Sequence, residues 1–70
     1  MKVNVFNSKM ALYGDTIESL AEYLEISRQT LSWKIQGKTE FKRDEIDKII
    51  TRYELTPEET HEIFFSREEN

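Results

Sequence analysis

Arg28 and Gln29 stand side by side in a stretch, residues 27–43, that gathers Arg28, Lys34, Lys38, Lys42 and Arg43 against one acid, Glu40. An arginine can pair bidentately with guanine O6 and N7, and a glutamine with adenine N6 and N7. The chain carries a formal net charge of −4, which on its own argues against a polyanionic partner. The distribution says more than the sum. Residues 1–26 carry −2, residues 27–43 carry +4 and residues 44–70 carry −6. The plain alternative is a solvated surface on which cations happen to cluster.

Other chemistries lack their residues. With no cysteine and one histidine, His61, the chain has neither a disulfide framework nor a set of metal ligands at metal spacing. It holds no nucleophile–base pair and no glycine-rich phosphate loop, and its acids fall at helix-surface spacing. A 70-residue chain also has little room for a pocket of the usual several hundred cubic ångströms. An enzyme is therefore not expected, nor a cofactor or small-molecule ligand. No apolar run has membrane-spanning length and the N-terminus lacks a signal peptide's apolar stretch, so a cytoplasmic protein is expected. Met1 suggests a native N-terminus, with a fragment given a start codon as the alternative.

Seventy residues make one domain, 1–70, in which only about 60% of the unfolded surface is buried. The elements that must position the basic stretch read as helix nearly throughout. Phe6, Met10 and Tyr13 predict a first helix over about 4–13, ended by Gly14, with Val3 and Val5 hinting at a short extended start. Asp15 and Thr16 offer capping oxygens, Asp15 pairing with Glu18. Ile17, Leu20, Ala21 and Leu24 form the apolar stripe of a second helix over about 16–23. A third runs from the cap Ser27 to about Gln36, buries Leu31 and Ile35, and is ended by Gly37. Phe41 folds back from a polar loop onto the core. Ile46, Ile49, Ile50 and Tyr53 predict a fourth helix over 43–53. Thr56-Pro57-Glu58-Glu59 starts a fifth, about 57–65, with Ile63 and either Phe64 or Phe65 inward. Residues 66–70 read as a frayed tail.

Residues 17–36 carry a spacing with a geometric cause. Two helices crossing through a short turn need a small residue where they approach closely, and Ala21 supplies it. Ile26 plugs the turn, and Leu31 and Ile35 anchor the second helix. Arg28, Gln29, Ser32 and Trp33 are left on its outer face, with Thr30 and Lys34 at the flanks.

The run Thr16-Ile17-Glu18-Ser19-Leu20-Ala21-Glu22-Tyr23-Leu24-Glu25-Ile26-Ser27-Arg28-Gln29-Thr30-Leu31 resembles the helix-turn-helix of the Cro and phage-repressor (Xre-type) family. Ser32-Trp33-Lys34-Ile35-Gln36-Gly37-Lys38 is similar to that family's recognition helix and its glycine-lysine exit. The resemblance covers residues 4–65. It implies a compact, all-α, five-helix, lambda-repressor-like bundle with a helix-turn-helix at about 16–36 and its third helix in the DNA major groove. It implies base contacts from Arg28, Gln29, Ser32 and Trp33. Phosphate contacts are implied from Ser27, Thr30, Lys34, Lys38, Lys42 and Arg43. Two positions depart from the pattern. Glu25 stands where the family usually has glycine, in a turn position near left-handed geometry that costs other residues roughly 1 kcal/mol. Asp15 stands where an apolar residue is more usual.

Bland readings stand beside these roles. Arg28 is a surface arginine if it pairs with Glu25, and Gln29 is a residue that most helices tolerate. Trp33 either packs on the core or, exposed, meets a thymine methyl, a phosphate or a protein. The expected function is that of a phage or mobile-element transcriptional regulator on double-stranded DNA. A weak homodimer is expected through the fourth and fifth helices or the C-terminal tail, with the surplus aromatic of Ile63-Phe64-Phe65 as the contact. The alternative is an antitoxin-like or adaptor protein whose acidic 44–70 half binds a partner protein.

Overall fold

In the computed structural model, which describes residues 1–65, the elements are α1 (Val3–Leu12), α2 (Ile17–Leu24), α3 (Arg28–Gln36), α4 (Arg43–Tyr53) and α5 (Pro57–Thr60). A π-helical turn, His61–Phe65, continues α5. The result is an all-α bundle with no strand among the described residues. The expected tail at 66–70 lies outside them.

α1 begins at once, with the Phe6 N–H already donating to the Lys2 carbonyl at 3.1 Å. The extended start suggested by Val3 and Val5 does not form. Both valines are in α1 and pack half-buried on the core, because the i, i+4 pair Phe6 and Met10 sets the period there. Gly14 turns left-handed at φ 73°, and the Asp15 and Gly14 N–H groups donate to Met10 and Ala11 carbonyls at 2.8 and 3.1 Å. This double closure takes up α1's last carbonyls.

The cap of α2 differs from expectation. Thr16 Oγ1 accepts from the Ser19 N–H at 3.1 Å, and Ser19 Oγ accepts from the Thr16 N–H at 2.9 Å. Ser19 rather than Glu18 sits three residues after the cap, so Asp15 is released for another task. At the other end Glu25 is left-handed at φ 61°, and the Ile26 N–H reaches the Ala21 carbonyl at 3.0 Å. The turn thus takes the geometry anticipated at this position without its glycine.

α1 to α4 and the π-helical turn share the core, while α5 itself buries no residue. Phe6, Leu20, Leu31, Ile49, Tyr53 and Ile63 are fully buried. Phe6 touches three rings, Phe41, Tyr53 and Phe64, at centroid distances of 6.2, 6.3 and 6.5 Å. Phe41 does fold back from its loop, meeting Phe64 edge-on at 5.4 Å. The fifth helix is not α-helical to its end. Its wider last turn sets adjacent Ile63 and Phe64 both on the core, and Phe65 is 60% exposed. No helix among the described residues is long and apolar enough to cross a membrane.

Candidate nucleic-acid interface

α2 and α3 pack directly on each other, with Ala21 buried where they meet and Ile26 half-buried in the turn between them. Ser27 Oγ accepts from the Thr30 N–H at 3.0 Å, fixing where α3 starts. Gly37, at φ 84°, and the Lys38 N–H bond to the Trp33 carbonyl at 2.9 Å fix where it ends. With both ends set, Leu31 and Ile35 turn inward. The residues at 28, 29, 32 and 33 then share the opposite side by the helical period.

On that side Arg28 and Gln29 are exposed and have no hydrogen-bond or ion-pair partner among the described residues. The alternative pairing of Arg28 with Glu25 does not form. Ser32 is half-buried, and its Oγ accepts from Gln36 Nε2 at 2.9 Å. Trp33 is 42% exposed, which removes it from the core, and its indole N–H has no acceptor among the described residues. α3 contains no acidic residue, in a chain that has 14.

Of the residues assigned to phosphate, Lys38 and Lys42 are exposed with free ammonium groups among the described residues. Arg43 is exposed beside Asp47, at 3.6 Å on the same helix face, a solvated pair that leaves the guanidinium accessible. The Ser27 hydroxyl is occupied, donating to Thr30 Oγ1 at 2.8 Å while it caps the helix. The Thr30 hydroxyl, having accepted that bond, keeps its own proton to donate.

Lys34 is a correction. It is no phosphate contact, because its side chain is 6% exposed and its Nζ pairs with Glu45 Oε1 at 3.1 Å. Nζ also donates to the Glu40 carbonyl at 3.0 Å and lies 5.9 Å from the centre of the Phe41 ring. The reason is periodicity: position 34 falls between the inward Leu31 and Ile35. Glu45 Oε1 also accepts from the Lys42 N–H at 2.8 Å, so one carboxylate caps α4 and holds the end of α3. The exposed cations of the basic stretch are therefore Arg28, Lys38, Lys42 and Arg43.

Two features were not found by sequence reasoning. The first is a shallow open depression in which Thr16, Ile17 and Glu18 at the start of α2 join Arg28, Gln29 and Ser32. It is where the amino-terminal parts of both helices meet. The signal was present in the short turn, which brings these ends together.

The second is a polar node around Asp15, whose side chain is 3% exposed. Arg52 Nε and Nη2 donate to its two oxygens at 2.6 and 2.7 Å, the Tyr53 hydroxyl donates at 2.7 Å, and Ser19 Oγ donates at 2.6 Å. The Arg52 guanidinium holds the Asp15 carboxyl well below the usual carboxylate range, with help from Ser19 and Tyr53 and against the effect of burial. Burial, then the bond to Asp15, pushes the Tyr53 phenol up. Arg52 also stacks 4.4 Å from the centre of the Tyr23 ring, tying α2 to α4. Every partner of Asp15 is internal, which makes the node structural.

Comparison with known proteins finds no matching family model, no matching curated protein and no matching solved structure.

Proposed function

We propose that this chain binds double-stranded DNA in a sequence-specific way through α3 in the major groove, acting as a transcriptional regulator of the phage-repressor kind. The observation that carries the reading is the outer side of α3. Arg28 and Gln29 present bidentate groups with no partner among the described residues, on a helix free of acids and capped at both ends. Such groups cost nothing in water, and at a base edge they discriminate.

In this reading Arg28 pairs with guanine and Gln29 with adenine, Ser32 and Trp33 completing the base-facing side. Lys38, Lys42 and Arg43 meet phosphates, joined by the hydroxyls of Ser27 and Thr30. Phosphate contacts fix the register and supply the salt dependence, while the base contacts choose the sequence. We place a weak homodimer contact at the exposed Phe65. A two-fold dimer of this kind reads half-sites about 34 Å apart.

The test is duplex selection from a random pool with the full chain, then salt titration on the enriched sequence. A palindromic sequence should be enriched. Arg28→Ala should lose about 1–3 kcal/mol at one base pair and relax the preference there. Lys38→Ala should weaken all duplexes alike and lower the salt slope by about 1. If no sequence is enriched over the starting pool, the proposal fails.

A further inference from the structure

Trp33 is the chain's single tryptophan, and it sits sixth of nine residues in α3. Its 42% exposure is unlike that of the other large apolar residues on the surface. Leu12 and Tyr13 lie at the end of α1 and Phe65 closes the last turn, whereas Trp33 shares its side with Arg28, Gln29 and Ser32. It touches no other aromatic ring among the described residues and receives no cation over its face. A ring this size left in water in the middle of a polar helix side gains by being covered.

Resting on the DNA-reading proposal above, we propose that Trp33 reads the C5-methyl group of a pyrimidine in the major groove. The occupant follows from charge and shape. An acid-free helix flanked by Arg28, Lys38 and Lys42 suits a polyanion, and within the groove the methyl is the apolar group that base edges display. The first residues of a recognition helix reach base edges, and Trp33 continues that side of α3. One turn back, Gln29 can take an adenine N6 and N7, and the thymine paired with such an adenine carries its methyl on the same groove floor.

The same methyl occurs on thymine and on 5-methylcytosine. Binding is therefore sensitive either to thymine itself or to cytosine methylation within the site, and the arms of one experiment separate the two.

The experiment uses the full chain and the duplex it enriches. Each thymine is replaced in turn by deoxyuridine, and each cytosine in turn by 5-methylcytosine. Affinity is measured for the wild type, Trp33→Ala and Trp33→Phe, with helicity checked by circular dichroism. Loss of one buried methyl should weaken wild-type binding about fourfold at one position. Trp33→Ala should abolish that difference, and Trp33→Phe, which keeps a ring but has no N–H, should retain most of it. The tryptophan emission should shift to the blue on binding and become shielded from a soluble quencher.

A coupled effect in the uracil arm assigns thymine as the source. A coupled gain in the methylcytosine arm alone assigns methylated DNA. Equal affinities in both arms, or a Trp33→Phe loss as large as that of Trp33→Ala with no methyl dependence, overturn the inference and leave the duplex-binding reading standing. Failure to enrich any duplex removes both.

Discussion

Two regions of this small bundle are rich in polar side chains and use them in opposite ways. Around Asp15, Arg52, Tyr53 and Ser19 each spend their donors on one carboxylate, which is nearly sealed from water. On the outer side of α3, Arg28 and Gln29 have no partner among the described residues and stay in solvent. The first arrangement holds α2 to α4 and takes up both oxygens of the Asp15 carboxylate. The second keeps all its hydrogen-bonding capacity. In a molecule this small, the difference between satisfied and unsatisfied polar groups separates scaffold from candidate site better than charge itself does. Lys34 makes the point within one helix. It has the same charge as Arg28, six residues away, and belongs entirely to the scaffold.

The largest effect expected from breaking this contrast is at Asp15. Asp15→Ala leaves the buried Tyr53 hydroxyl without its acceptor and Arg52 without its counter-ion, costing about 3–4 kcal/mol, the lower part of the range because Arg52 is 31% exposed. Urea unfolding followed by circular dichroism should show it as a large fall in midpoint. The pH dependence has a definite sign. The folded-state carboxyl is held below its unfolded value, so its stabilisation is complete above about pH 4 and drains away as pH falls through the lower, folded-state value. Asp15→Asn should flatten this acid limb, by up to about 1.4 kcal/mol per pH unit. Tyr53 acts at the other end. With its pKa raised in the fold, its contribution is present below about pH 10 and lost as pH rises through the folded value. An acid limb of unchanged slope in Asp15→Asn would remove Asp15 from the centre of the node.

The next effect tests whether Lys34 belongs with the scaffold. Lys34→Ala strands Glu45, whose side chain is 7% exposed, and should cost about 3 kcal/mol, the bottom of the range because Glu45 keeps its bond from the Lys42 N–H. Lys34→Met with Glu45→Leu replaces the pair by apolar packing. It should recover all but about 1 kcal/mol, the remainder reflecting the lost Glu45 bond to the Lys42 N–H. The salt slope for duplex binding should be the same in this double variant as in the wild type. A slope lower by about 1 would return Lys34 to the phosphate contacts.

The distinction between these regions was only half legible in the sequence. Hydrophobic spacing placed the helices, because periods of three and four residues leave few alternatives, and Gly14, Gly37 and the Thr56-Pro57 start marked ends that the fold respects. The same period already put position 34 between Leu31 and Ile35; reading the residue by its charge rather than its place gave it to the solvent. The node was out of reach for another reason. Asp15 and Arg52 are 37 residues apart, and no local pattern tells which of many acids and bases will meet. Nor does anything local announce the π turn at His61–Phe65, which follows from packing two adjacent apolar residues against one core. The surplus aromatic of that segment resolved to Phe65, and Trp33 resolved to the surface.

The smallest effects lie at the joints of the two regions. Glu25 connects α2 to α3 beside the candidate site, and Glu54 connects α4 to α5, both in the left-handed region at φ 61° and 51°. A glycine there relieves about 1 kcal/mol of strain but loses part of it to the greater freedom of the unfolded chain. Glu25→Gly should therefore raise the thermal midpoint by a few degrees, roughly 2–4 °C for a gain near half a kcal/mol. Glu54→Gly should gain less, since Glu54 accepts a long bond, 3.4 Å, from the Tyr13 hydroxyl. The informative measurement is duplex affinity in the same two variants. If Glu54→Gly leaves affinity unchanged while Glu25→Gly weakens it despite the added stability, the strained turn is part of how α3 is aimed. If both leave affinity unchanged, the strain at Glu25 is only a cost of joining the two helices, and the aim of α3 rests on Ala21, Ile26 and the packing beneath them.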